Sequence, residues 1–290
     1  MSGVVVVALV LIVMVVVVVV RHRATHAGGR QPDAVGLGPA RWRALGLAMG
    51  LIAGVLMLND GGLGRGPLLA APAFGLCVLV GVIVGELLIT APGGPIRHAT
   101  LEVRRIRDYL PRRLTTVVTA TTALLGGILV ATTLAGSADD QGRAGRSLAR
   151  QCSAIMGEAT GPWPGSYYSV PLALAVGLGL LGAALASRVI VRRPRPGGDR
   201  ADDDAARCRA VSAVVAASGV LVAVPLIGVS LTAAGALFRI SCRPEWWNTL
   251  AWSLLLLAVA LVILLGWCAA SLLPPISGLA RARAASLPTR

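Results

Sequence analysis

The chain has 290 residues, of which 56% are hydrophobic and only 14% charged, with a net charge of +14 carried by 27 basic residues that are all arginine. Mean hydropathy is +0.77. A soluble domain carries about a quarter charged residues, so the composition excludes a water-soluble globule, and its hydrophobicity excludes intrinsic disorder.

What remains is an all-α integral membrane bundle. A helix needs roughly 20 apolar residues to cross the hydrocarbon layer. Seven runs qualify or come close: residues 4–20, 43–58, 68–91, 114–135, 168–191, 211–238 and 249–273. The first is almost pure valine. An isolated strand cannot satisfy its backbone in lipid, so a helix is expected there. Met1-Ser2-Gly3 carries no side-chain positive charge and Arg21-His22-Arg23 follows the run, which is the order of a retained anchor rather than of a cleaved signal peptide.

Charge tests the set as a whole. With the N-terminus outside and the C-terminus cytoplasmic, 21 of the 27 arginines fall on the cytoplasmic side and six outside. That asymmetry is the positive-inside pattern. The short second span is needed for it, because without that span the arginines after the first would face the wrong way.

Along the chain, the second span carries Gly46, Gly50 and Gly54, and the third carries Gly81 and Gly85. Residues four apart share a helix face, and glycines there let two helix backbones approach. Packing within the chain is the favoured use, with homodimerisation the alternative. Glu86 is the single acid inside any span. It sits about 8 Å from the cytoplasmic end by helical rise. Ionisable groups at such depth are costly and often functional. The plainer reading, and the favoured one, is an acid near the interface that snorkels or is salt-bridged, with Arg97 or Arg113 as the partner.

Between the third and fourth spans, Ala99, Val103, Ile106 and Leu110 recur at steps of four, three and four among arginines, and Pro111 ends the run. Residues 98–111 therefore read as a short basic amphipathic helix on the inner leaflet. The rival is a docking helix for a cytoplasmic or membrane protein partner. The fourth span carries Thr115, Thr119, Thr122, Gly126 and Thr133 on one stripe. Such a stripe can line a cavity, but bonding back to the helix's own carbonyls explains it more simply. Gly177-Leu178-Gly179-Leu180-Leu181-Gly182 spells a dinucleotide fingerprint inside the fifth span. With no strand before it, that reading fails.

Residues 192–207, arginine- and proline-rich and then acidic, read as a flexible charged cytoplasmic linker. Pro225 is expected to kink the sixth span. Trp163, Tyr167, Tyr168, Trp246, Trp247 and Trp252 fall at outer span ends, as an aromatic belt would place them. Of five cysteines, Cys77 and Cys268 lie in spans, Cys208 is cytoplasmic, and Cys152 and Cys242 alone lie outside. An oxidising outer face favours one disulfide between these two.

Several chemistries drop out. The three histidines, His22, His26 and His98, all lie in cytoplasmic loops, so a transmembrane haem, a Ser–His hydrolase and a zinc protease motif have no ligands or base. A retinal Schiff base needs a lysine, and a P-loop is absent. The arginines are accounted for by orientation and by anionic inner-leaflet headgroups, not by nucleic acid. No catalytic residue, metal or cofactor is called for. The Ala-, Gly-, Val-, Leu- and Arg-rich composition suits GC-rich bacterial DNA and a plasma-membrane location. The expected role is a non-catalytic membrane component, a sensor or a subunit of a larger complex. The alternative is a permease for an apolar or lipid-like substrate, since few buried polar groups are available to pass a charged one.

Overall fold

A computed structural model describes residues 34–59, 64–87, 106–192 and 200–272. The valine-rich run 4–20 lies outside the described residues. The other six expected spans are all helices: α1 (Ala34–Asn59), α2 (Arg65–Leu87), α3 (Arg112–Ala135), α4 (Ser166–Arg192), α5 (Arg200–Arg239) and α6 (Glu245–Leu272). Each is long and apolar enough to cross a membrane. A helix closes its own backbone hydrogen bonds, which is what an apolar run requires in lipid.

The bundle is organised around α5. It packs against α2, α3, α4 and α6, and Val211, Ala216, Ala217, Val220, Leu221 and Leu226 along it are fully buried. Small side chains on α5 let its neighbours come close. Gly75 on α2 and Gly179 on α4 both face Leu221 at distances that leave no room for a Cβ, so Leu221 is the point where three helices meet. The helix runs through Pro225 without interruption. Its 40 residues would extend about 60 Å at helical rise, roughly twice the hydrocarbon thickness.

Two departures from the sequence reading concern segments beyond the spans. The linker expected over 192–207 is partly helix, because α4 ends at Arg192 and α5 already begins at Arg200. Acidic residues near a helix N-terminus are favourable, and Asp203 pairs with Arg207 one turn on. The acidic run that looked like a linker is thus a helix start. The second departure is a hairpin of β1 (Leu148–Gln151) and β2 (Gly157–Thr160), paired antiparallel from Leu148 opposite Thr160 to Gln151 opposite Gly157. An all-α description omits it. It falls in the long α3–α4 connection, beyond the apolar helices, where strand edges can be solvated.

Candidate functional site

The polar and charged groups gather at two opposite ends of the bundle. One end joins the start of α1, the end of α2, the 106–112 segment, the α4–α5 junction and the end of α6. It is called the arginine-rich end here. The other, the disulfide end, holds the α3–α4 connection and the α5–α6 turn.

At the arginine-rich end, Glu86 is 5% exposed and its Oε1 accepts from Nη2 of Arg43 at 2.5 Å. Nη1 of Arg43 donates to the carbonyl of Leu272 at 2.7 Å. One guanidinium therefore ties α1 to α2 and to the end of α6. Among the described residues the partner is Arg43 and not Arg113, which is exposed at the start of α3; Arg97 lies outside the described residues. Residues 43 positions apart in sequence are brought together by the α1–α2 hairpin, whose close crossing the glycines permit. A Cβ on Gly46 would meet the carbonyl of Cys77 at 2.7 Å and the Cα of Gly81 at 2.9 Å, and one on Gly50 would meet Phe74 at 2.9 Å. Gly54 faces open space, and the side of Gly85 is buried. Gly46, Gly50 and Gly81 thus serve contacts inside the chain.

The second knot at this end is Arg207, whose side chain is fully buried. Its Nε and Nη2 donate to Asp203 at 2.9 and 3.3 Å, and its Nη1 donates to the carbonyls of Ile190 and Val191 at 3.1 and 2.8 Å. Those carbonyls belong to the last turn of α4, where helices leave acceptors unsatisfied. Arg207 is a C-terminal cap delivered from a neighbouring helix. Beside it, the Tyr109 hydroxyl donates to Asp204 at 3.0 Å. Within the expected amphipathic segment 98–111, residues 98–105 lie outside the described residues. Ile106–Asp108 form one 3-10 turn, and Ile106, Tyr109 and Leu110 pack on the bundle core. The described part is therefore folded against the protein rather than extended as a free helix. Arg207 and Tyr109 escaped sequence reasoning, because an arginine in a charged run looks solvated; the Asp203–Arg207 spacing of four was the one available signal.

The threonine stripe does not face the core. The buried face of α3 is Leu114, Val118, Thr121, Leu125, Leu129 and Thr132. Thr119 is exposed, and Thr122 donates to the carbonyl of Val118 at 2.8 Å. Thr115 and Thr133 lie at the margin of the buried face, and the Thr115 hydroxyl has no partner among the described residues. The buried threonines, Thr121 and Thr132, also bond back to their own helix.

At the disulfide end, the sulfurs of Cys152 and Cys242 lie at bonding distance with Cα atoms 5.7 Å apart, which is the expected pairing. Glu158 stands beside them, within 4.8 Å of both sulfurs. Two sulfurs engaged with each other offer no thiolate to a metal, so this trio is a covalent tie rather than a ligand set. Glu158 accepts from the backbone N–H and the hydroxyl of Ser241 at 2.7 and 2.9 Å. Those bonds hold its carboxyl below the usual carboxylate range against the opposing effect of burial.

The start of the α3–α4 connection is built on Asp139. Its carboxylate accepts from the backbone of Gln141 and Arg143 and from the guanidinium groups of Arg143 and Arg146 at 2.7 and 2.6 Å. Burial pushes its pKa up, but those hydrogen bonds outweigh burial and hold it far below the ordinary range. Gly142, at φ +77°, supplies the left-handed residue that closes the turn. An open groove of about 440 Å³ runs beside this turn, with Asp139, Asp140, Arg146, Ser147 and Thr160 among its walls.

Three of the six aromatics assigned to a lipid belt are interior instead. Trp163, Tyr168 and Trp247 are buried. The Trp163 indole donates to the carbonyl of Thr132 at 2.7 Å, and Trp163 and Trp247 share a small core with Leu148, Leu237 and Ile240. Trp246 and Trp252 are exposed, as a belt requires. The Gly177–Gly182 fingerprint lies within α4, where Gly179 serves packing against Leu221.

Compared with protein-family models, with curated proteins and with solved structures, the chain matches none. The six apolar helices make it compatible with a multi-pass membrane protein.

Proposed function

We propose that the protein is a non-catalytic component of a bacterial plasma membrane, a sensor or a subunit of a larger complex. It crosses the bilayer seven times, with the N-terminus outside and the disulfide end external. The observation that carries this reading is the commitment of Glu86. The acid on which an ion- or proton-coupled transport step would depend is engaged by Arg43, and the centre of the bundle along α5 carries no buried charge between Arg207 and its end, only the hydroxyls of Ser218 and Ser230 among apolar side chains. That arrangement supports a rigid membrane body with its chemistry-bearing groups at the ends. The anionic inner leaflet would meet the arginine-rich end, and a protein partner would engage the 98–111 segment.

The test is Glu86→Gln, scored both for thermal stability in detergent and for complementation of a gene deletion. Arg43 is partly exposed, so the loss should fall between that of a surface pair and a buried one, about 1–3 kcal/mol. Complementation should persist at permissive temperature. Unchanged stability with lost complementation would turn the reading toward transport. The orientation has its own check, since a reporter fused after residue 105 should read cytoplasmic and one after residue 150 external.

A further inference from the structure

The tip of the β1–β2 hairpin is apolar at a place where nothing among the described residues covers it. Ile155 is 93% exposed and Met156 66% exposed. The tip is nevertheless ordered by its own hydrogen bonds. The N–H groups of Cys152 and Ser153 both donate to the Met156 carbonyl, at 2.9 and 3.1 Å, and the Met156 N–H donates to the Ser153 hydroxyl at 3.1 Å. A turn fixed in this way presents Ile155 outward by construction.

The hairpin is laid across the α5–α6 turn by a series of ties. Nη1 of Arg239 donates to the Gly161 carbonyl at 3.2 Å, Glu158 takes both donors of Ser241, and Cys152 reaches Cys242. The Arg150 guanidinium lies 5.1 Å from the Trp247 ring centroid. Leu148, at the base, is buried in the small core with Trp163. The base therefore sits over the bundle, and the tip is fixed beside the start of α6, whose first residue is three positions after Cys242. The 28 residues of α6 extend about 42 Å, close to the thickness of a bilayer with its headgroups. Its first turn, carrying the exposed Trp246, then stands at the headgroup layer, and so does the tip tied to it.

We propose that the hairpin tip is a lipid-contacting element, in which Ile155 and Met156 enter the interfacial layer of the leaflet around the disulfide end. Arg150 on β1 and Arg239 at the end of α5 add cationic side chains beside the apolar tip, the combination that binds amphipathic elements to an anionic membrane surface. The tie through Cys242 and Ser241 makes α5, the central helix, the element that would feel the position of the leaflet. The inference rests on the helices being membrane spans and not on the sensor-or-subunit role.

The test places a nitroxide label at Ile155→Cys, and separately at Met156→Cys, in a Cys208→Ser parent reconstituted in phosphatidylglycerol–phosphatidylethanolamine vesicles. The unmodified parent supplies the background from Cys77 and Cys268. Collision with a water-soluble nickel chelate should fall several-fold below that of a label at Asp140→Cys, an exposed site in the same external connection, while collision with oxygen rises. A nickel response at both tip positions equal to that of Asp140→Cys would overturn the proposal. So would loss of both nickel and oxygen access, which marks burial against protein. A label at Leu256→Cys, on an exposed face of α6, must read as deep in lipid; an aqueous reading there would remove the membrane reading and the proposal together.

Discussion

The two ends of the bundle solve the same problem by different physics. Each must hold several helices in register where the apolar core runs out. At the arginine-rich end the helices are joined by arginines, with the partly exposed Arg43 spanning α1, α2 and α6 and the buried Arg207 capping α4 from α5. At the disulfide end a long connection folds into a small unit with its own core, and a covalent tie fixes it to the α5–α6 turn. At the α4–α5 junction, only seven residues separate Arg192 from Arg200, and the unsatisfied carbonyls of the α4 end are met by a cation from the next helix. A connection of some thirty residues has enough chain to build strands and to need a staple.

Removing Arg207 should break this contrast most sharply. Arg207→Ala removes the buried guanidinium from beside Asp203 and the donor from the Ile190 and Val191 carbonyls. Breaking a buried pair costs roughly 3–5 kcal/mol, and thermal unfolding in detergent should register it. Arg207→Met, which keeps the volume while removing the charge, should lose as much or nearly so while Asp203 remains. Recovery in the Arg207→Met, Asp203→Leu double variant would confirm that the uncompensated carboxylate causes the loss. A melting temperature unchanged in Arg207→Ala would show that the cap carries no stability.

The disulfide end should respond to a different perturbation. The bond joins residues 90 positions apart, and closing a loop of that length is worth about 4 kcal/mol in the chain-entropy model. Glu158 and Arg239 keep their hydrogen bonds after reduction. The Cys152→Ser, Cys242→Ser variant should therefore lose less, about 2–3 kcal/mol. Proteolysis of 148–160 should rise in that variant while the arginine-rich end stays protected. Equal loosening of both ends would mean that they are not independent.

The sequence made the helices legible because a membrane span is announced by the apolar run itself, and the six described spans coincide with six helices to within a few residues, apart from the longer starts of α1 and α5. The cysteine pairing was legible by exclusion, since only Cys152 and Cys242 fell in connections at one and the same end of the expected spans. The rest depended on tertiary contact. Arg43 and Glu86 meet through an interhelical crossing, and nothing local in the sequence distinguishes Arg43 from Arg97 or Arg113. The buried face of α3 falls one position away from the polar stripe, because helix rotation is set by neighbours rather than by the threonines. The acidic run before Arg207 resembled a linker because its compensation comes from α4.

The smallest expected effect is acid sensitivity at the disulfide end, and it sharpens the comparison because its direction is fixed. The Asp139 carboxyl is held below its ordinary value of 3.8, and Glu158 below 4.5. A carboxylate whose folded pKa is depressed contributes its full stabilisation at pH above the unfolded value. That contribution is lost as pH falls toward the folded value, because the unfolded chain takes up protons first. Stability of the disulfide end should thus be level from pH 8 to about 5 and decline as pH falls through the ordinary carboxylate range and below it. Trp163, buried against Thr132 beside this unit, offers a fluorescence report of its unfolding, with the five other tryptophans changed to phenylalanine. Asp139→Asn should lower stability at neutral pH and flatten the acid decline, since the amide keeps the turn's acceptor but cannot titrate. A steep loss between pH 8 and 6, or an acid decline identical in Asp139→Asn, would show that other groups set the response and that the Asp139–Arg143–Arg146 cluster does not hold this end together.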